Sequence, residues 1–179
     1  MLKPDTKGVL ANSVKELLKE NSFTDIGVQD IVRYSRVSRT AFYNHFKDEY
    51  DLVCWIYRTD ADQICKGFTG ENWRKYHTRL LEYMLKERDY YINVSSYHGQ
   101  NCIEDYVTDY AVACMESHLK RELGVCELSE EVMISLYMWN LTRTTVIFRW
   151  IRSKDNRSPK EMTQLICGCI PEPISAFYH

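Results

Sequence analysis

The chain has 179 residues, 45% of them apolar and 27% charged, with seven glycines and four prolines. Such a length builds one large domain or two small ones with ample core. The scarcity of glycine, proline and period-two segments excludes a sheet-rich protein and favours an all-α fold. No run of eighteen apolar residues is present and the opening "MLKPDTKGVL" lacks an apolar signal core, so a cytoplasmic protein with no membrane association is expected.

The formal charge of −2 is unevenly distributed: residues 1–47 carry 8 Lys/Arg against 5 Asp/Glu, whereas residues 48–179 carry 15 against 20. A basic head on an acidic body implies that only the head meets a polyanion.

In chain order, "TKGVLANSVKELLKEN" places Leu10, Val14, Leu17 and Leu18 on one face and predicts a first helix ending near Asn21. Phe23 and Ile26 lead into "VQDIVRYSRVSRTAFYNHF", residues 28–46, where Val28, Ile31 and Val32 form the apolar stripe of a short second helix. Ser38 is an N-cap residue for a third, with Phe42 and Phe46 four apart on its buried face. The "SRV" between them has room only for a tight turn, with Val37 as its apolar plug. These dimensions are those of a helix-turn-helix. The opposite face of the third helix carries Thr40, Tyr43, Asn44 and Lys47, with Arg39 beside them, and Asp30 is the sole acidic residue between Gln29 and Asp48. Such a face suits a DNA groove; a solvated pair of surface helices is the alternative.

Asp48 and Asp51 cap a fourth helix running to about Gly67, which joins head to body and sets the division into residues 1–48 and 49–179. A fifth helix follows from "ENWRKYHTRLLEYMLKE", and a short sixth, "YYINVSSY", is capped by Asp89 and broken at His98-Gly99. The seventh runs to Gly124, a favoured residue just past a helix end. Ser129 caps the eighth, and "SPKE" at 158–161 starts a last helix that ends before Pro171 and Pro173.

Seven cysteines, an odd number, read as reduced and mostly buried thiols. No cysteine–histidine spacing marks a metal site, and no nucleophile elbow, phosphate loop or Cys–His arrangement marks a catalytic one. No catalytic residue, metal or cofactor is therefore expected, and the chain is read as a non-enzyme. Eleven of the thirteen tyrosines and all four tryptophans lie after residue 48, enough to line a small-molecule cavity. Tyr83, Tyr106, Tyr110, Cys114, Trp139 and Arg143 are the candidate lining, although aromatics at helical spacing equally suit a core or an interface. Arg143 interrupts an apolar helix, and would bind an anionic ligand or pair with an acid across a dimer.

The head sequence "FTDIGVQDIVRYSRVSRTAFYNHFKDEYDLV" resembles the TetR/AcrR family of bacterial regulators, closely over residues 7–55 and most specifically in "TAFYNHFKDEYDL". In the body, "YYINVSSYHGQN", "FRWIRS" and "SPKEM" resemble the C-terminal branch of that family common in Firmicutes, which includes relatives of the dihydroxyacetone kinase operon activator DhaS. The resemblance implies a homodimer built from residues 129–152 and 158–170 of each subunit, with Leu136, Val146, Ile147, Trp150 and Leu165 as interface or core candidates. It also implies a palindromic double-stranded operator, contacted by Arg39, Thr40, Tyr43 and Asn44 in the groove and by Tyr43, His45 and Lys47 at phosphates. Gly27, Val28 and Ser38, at the starts of the second and third helices, complete the set. The function implied is a ligand-responsive transcriptional regulator, a repressor by expectation, with an unknown small-molecule effector. The alternative is a coactivator that works through a partner co-regulator protein.

Four positions depart from the family pattern. Gly27 stands where a capping Ser or Thr is usual, Ser35 replaces an alanine, and Arg36 occupies a turn position usually given to Gly or Asn. Glu49 replaces a lysine that commonly contacts phosphate, and favours the coactivator alternative.

Overall fold

Leu10, Val14 and Leu18 recur at the spacing of one helical face, and that face is buried, with the second and fourth helices packed against the first. In this computed structural model, which describes residues 5–67, 69, 72–97, 99 and 102–178, the described residues form ten α-helices and no strand. The first, α1 (Thr6–Leu17), is capped by Asp5, whose carboxylate accepts from the Lys7 N–H at 3.2 Å. It stops earlier than expected, and residues 18–20 form a turn. A single 3-10 turn, Phe23–Asp25, leads to α2 (Val28–Ser35) and α3 (Arg39–Tyr43). Ile31, Phe42 and Phe46 close the small core of the head.

The turn between α2 and α3 passes through Arg36, the only non-glycine at positive φ among the described residues, with φ 57°. A left-handed backbone strains a residue with a Cβ by roughly 1 kcal/mol. Ser35 braces it: its hydroxyl accepts from the Val37 N–H at 3.2 Å and donates to the Val32 carbonyl at 3.3 Å. The Ser35 hydroxyl thus bridges the last turn of α2 to the residue after the strained Arg36.

Helix α4 (Glu49–Ile64) packs on α1 at its head side and on α5 (Trp73–Lys86) and α7 (Ile103–Leu123) at its body side. Between α5 and α7 runs α6 (Arg88–Val94), which begins before Asp89. Asp89 therefore lies inside the first turn, where a carboxylate favours the helix dipole, and is not the cap. His98 of the expected break lies outside the described residues. Gly124 ends α7 in the left-handed conformation, φ 66°. Ser129 caps α8 (Glu130–Arg152) by accepting from the Val132 N–H, and Ser158 with Glu161 forms the expected capping box of α9 (Pro159–Cys167). A short α10 (Glu172–Ser175) follows where termination was expected. Pro173 sits in its first turn, where a missing N–H costs nothing.

The body core runs through Leu81, Met84, Tyr91, Val107, Leu119, Leu136, Phe148 and Ile151. Helices α7 and α8 lie against each other, α9 covers α5, and α10 covers α8. Of the interface or core candidates, Leu136, Ile147 and Trp150 are buried, whereas Val146 and Leu165 are exposed. No described helix is long and apolar enough to cross a membrane.

Candidate nucleic-acid interface and body cleft

Phe42 and Phe46 face inward from α3 and the turn after it, so the intervening positions must face out. Ser38, Arg39, Thr40, Tyr43, Asn44, His45 and Lys47 are all exposed, and together they make one outward face free of carboxylates. Ser38 uses its hydroxyl to cap α3, accepting from the Ala41 N–H at 3.1 Å. Arg39 lies over the Tyr43 ring, 5.6 Å from its centroid, and donates to the Tyr43 hydroxyl at 3.4 Å. Tyr43 is pinned from below by Phe42, edge to face at 5.5 Å. The pair therefore presents a cation and a hydroxyl already ordered.

Gly27 and Val28 are half-buried at the start of α2. The Gly27 N–H donates to the Asp30 carboxylate at 3.1 Å, and Asp30 also pairs with Arg33. The backbone N–H of Gly27, expected to meet a phosphate, is thus already engaged by a carboxylate. A second acidic group stands at the start of α4. There Asp48 accepts from the Asp51 N–H at 2.8 Å, Asp51 accepts from the Lys47 N–H at 3.0 Å, and Glu49 is half-buried as the first helical residue.

In the body, α4, α5, α7 and α8 enclose a cleft of about 720 Å³. Tyr106, Tyr110, Cys114 and Arg143 line it as expected, with Tyr57, Trp73, His77 and Tyr178 that sequence reasoning missed. Tyr106 and Tyr110 stand one turn apart with their rings stacked at 6.4 Å, and Tyr57 meets the Tyr110 ring edge to face at 5.8 Å. Tyr110 donates to Asp62 at the rim, and Arg58 lies 3.6 Å from the same carboxylate. Burial pushes the Cys65 thiol up to about 11, so it stays protonated at neutral pH.

Two candidates fall elsewhere. Trp139 is buried with its ring 5.5 Å from that of Trp73, and borders a second groove of about 510 Å³ between α8 and α9. Tyr83 belongs to the junction of head and body: its hydroxyl donates to Asp60 on α4 and accepts from Lys15 on α1 at 2.9 Å. A second tie across that junction is Asn93 of α6. Its amide accepts from the Phe23 N–H at 2.7 Å and donates to the carbonyls of Leu18 at 3.0 Å and Asn21 at 2.8 Å. An asparagine in a short helix carries no sequence signal for such a role.

Arg143 is buried on α8 and faces both the cleft and the groove. Burial pulls its pKa below the ordinary arginine value, and the groups acting in the other direction are Tyr57 and the thiols of Cys65, Cys114 and Cys167. Among the described residues no group of three or more His, Cys, Asp or Glu is placed to hold a metal ion.

Residues 71–171 match a TetR-type family model described as a transcriptional regulator C-terminal region. The chain is 29% identical over 87 residues to the HTH-type dhaKLM operon transcriptional activator DhaS of Lactococcus lactis subsp. lactis, a match covering 48% of this chain and 46% of that protein. The chain thus spans about half the length of that curated relative. Among solved structures it resembles a dihydroxyacetone kinase operon activator DhaS, with a TM-score of 0.65 and 17% identity over 99% of this chain and 100% of that one. It also resembles a TetR transcriptional regulator from Streptococcus agalactiae, with a TM-score of 0.63 and 15% identity over 93% and 94%. At those identities the two structures share the fold.

Proposed function

The chain belongs to the TetR family of transcriptional regulators, and from that premise we propose that it is a dimeric, ligand-responsive regulator that binds palindromic DNA through α2 and α3. The observation that carries this reading is the exposed, carboxylate-free face from Ser38 to Lys47, with Arg39 and Tyr43 held together upon it. Duplex DNA rewards such a face with phosphate contacts and counterion release. The body cleft is the place for an effector, since concave, mostly apolar cavities of this size with a few polar groups accept small molecules.

Self-association is supported by α8. Ile134, Tyr137, Met138 and Leu141 leave 51%, 50%, 62% and 43% of their surface exposed along one side of it, and Leu165 on α9 adds 50%. A continuous apolar strip of this kind on one monomer marks a protein–protein surface. An isologous pair would set the two heads one helical turn of DNA apart, roughly 34–36 Å.

The Lactococcus relative is an activator by name, which favours activation over the repression expected from the resemblance. A second reading, a coactivator acting through a partner protein, is favoured by the carboxylates of Asp30, Asp48, Glu49 and Asp51 beside the DNA-facing surface. Anisotropy titration of the whole protein on labelled fragments around its own gene separates the two. Saturable, salt-sensitive binding of one fragment over random DNA is the expected result, and no binding to any fragment would sink the direct regulator in favour of the coactivator.

A further inference from the structure

Arg143 is a cation that the fold does not use. It interrupts the apolar face of α8 with 8% of its surface exposed. Among the described residues it makes no hydrogen bond and no ion pair, its Nε has no partner, and its guanidinium rests only on the Trp139 ring, 5.3 Å from the centroid. No carboxylate is among the groups that act on its charge. A buried charge without a counterion is costly, and such groups are ordinarily paired or ligand-bound. The indole N–H of Trp73, on the wall of the same cleft, is likewise buried without a partner among the described residues.

We propose that the cleft holds a small organic monocarboxylate, its carboxylate on Arg143 and its apolar body against Tyr57, Leu80, Tyr106 and Tyr110. The inference rests on the reading of the body as the effector-sensing part and names the chemical class sensed. A guanidinium matches a carboxylate with two parallel hydrogen bonds, and the aromatic walls reward a flat or aliphatic body. One unpaired cation calls for one negative charge. A phosphate dianion would leave excess negative charge among the same walls, because Arg58 at the cleft faces Asp62 at 3.6 Å and Arg121 is exposed to solvent, which screens its charge. Asp62 at the rim also repels a second carboxylate.

The test is a tryptophan-fluorescence titration of the full chain with benzoate, 3-phenylpropionate and octanoate, each against its neutral amide, and with phenyl phosphate. At least one acid should bind ten times or more tighter than its amide. In Arg143→Met that preference should vanish, and in Arg143→Lys, which keeps the charge, part of it should survive. A thermal melt checks that Arg143→Met folds, which is expected because an apolar side chain commonly replaces a buried ion without loss; if it does not, Arg143→Lys decides by whether the preference weakens. Acids binding no better than amides, a preference untouched by both substitutions, or phenyl phosphate binding more tightly than every acid would each overturn the proposal. The first of these is also the result expected if a carboxylate from a second copy satisfied Arg143 through the α8–α9 groove. DNA binding is measured separately, without any probe. Loss of the acid preference in a protein that binds its promoter removes this inference and leaves the regulator standing, whereas an acid preference without DNA binding removes the direct regulator.

Discussion

The ammonium of Lys15 on α1 lies 2.9 Å from the hydroxyl of Tyr83 on α5, and that hydroxyl in turn donates to Asp60 on α4. One tyrosine therefore ties the first helix of the head to the helix that joins the two parts. Burial first, and the hydrogen bond to Asp60 second, push the phenol above its ordinary pKa, so it stays a donor. Tyr83→Phe removes the bridge but leaves Lys15 and Asp60 facing each other at 3.3 Å. A loss of about 0.5–1.5 kcal/mol is expected in urea denaturation. Combined with Lys15→Met, the two losses should be less than additive. Strict additivity would show that the bridge carries no coupling between head and body.

On the proposed DNA-facing surface, Tyr43→Phe and Lys47→Ala should weaken binding to specific and random fragments alike, because phosphate contacts position the protein without reading sequence. Lys47→Ala should also flatten the dependence of log K on log salt by about one unit. Arg39→Ala should cost about 1–3 kcal/mol and relax preference at one base pair, the mark of a guanine contact. Unaltered affinity in the Tyr43 and Lys47 variants would place the interface elsewhere.

Met138 and Leu141 lie in the exposed strip of α8, away from the core residues Leu136, Trp139 and Asn140. The double substitution Met138→Glu, Leu141→Glu should leave the fold intact and yield monomers, because it buries four like charges at an isologous contact. Sedimentation equilibrium at micromolar protein decides between dimer and monomer. A wild-type monomer would rule out a palindrome read by two linked heads.

His77 is buried between α5 and α9, with Nδ1 3.3 Å from the Thr163 hydroxyl. Burial first, and Arg143 second, push its pKa well below the ordinary 6.5. Above that value both folded and unfolded imidazoles are neutral and the group makes no difference. As the pH falls below it, the unfolded chain takes up a proton that the folded chain refuses, so stability drops, by up to about 1.4 kcal/mol per pH unit. Urea midpoints between pH 7.5 and 5 should fall more steeply for wild type than for His77→Gln. Equal slopes would mean that the folded imidazole protonates normally.

What was legible in the sequence was what depends on neighbours along the chain. The caps Ser38, Ser129 and Ser158 with Glu161, and the left-handed Gly124, all act within one turn of their own helix. The outward face of α3 follows from Phe42 and Phe46 by spacing alone. Tyr83 and Asn93 were not legible, because each is defined by partners on α1 or in the turn after it that only the tertiary fold brings near. The body cleft was half legible for the same reason: Tyr106, Tyr110 and Cys114 share one face of α7, but Trp73 and His77 enter it from α5. Trp139, one turn before Arg143 on α8, turns instead toward the groove against α9.

Glu49 is where direct DNA binding and the coactivator alternative part. It is the first residue of α4, half-buried, and the cap of that helix does not depend on it: Asp48 accepts from the Asp51 N–H, and Asp51 from the Lys47 N–H. Glu49→Lys therefore replaces a favourable interaction with the helix dipole by an unfavourable one, each about 0.3–1 kcal/mol, and places a cation where the carboxylate would repel a phosphate. Thermal stability should fall slightly, while DNA binding tightens and its salt dependence steepens by about one counterion. That pair of changes would mean that the head docks with the start of α4 against the backbone and that this chain carries a weakened grip there. If affinity and salt slope stay put while stability falls, Glu49 points away from the duplex, and its carboxylate ceases to favour the coactivator. If neither form binds any fragment, the cations at Arg39 and Lys47 do not suffice against the acidic start of α4, and the head serves a protein partner.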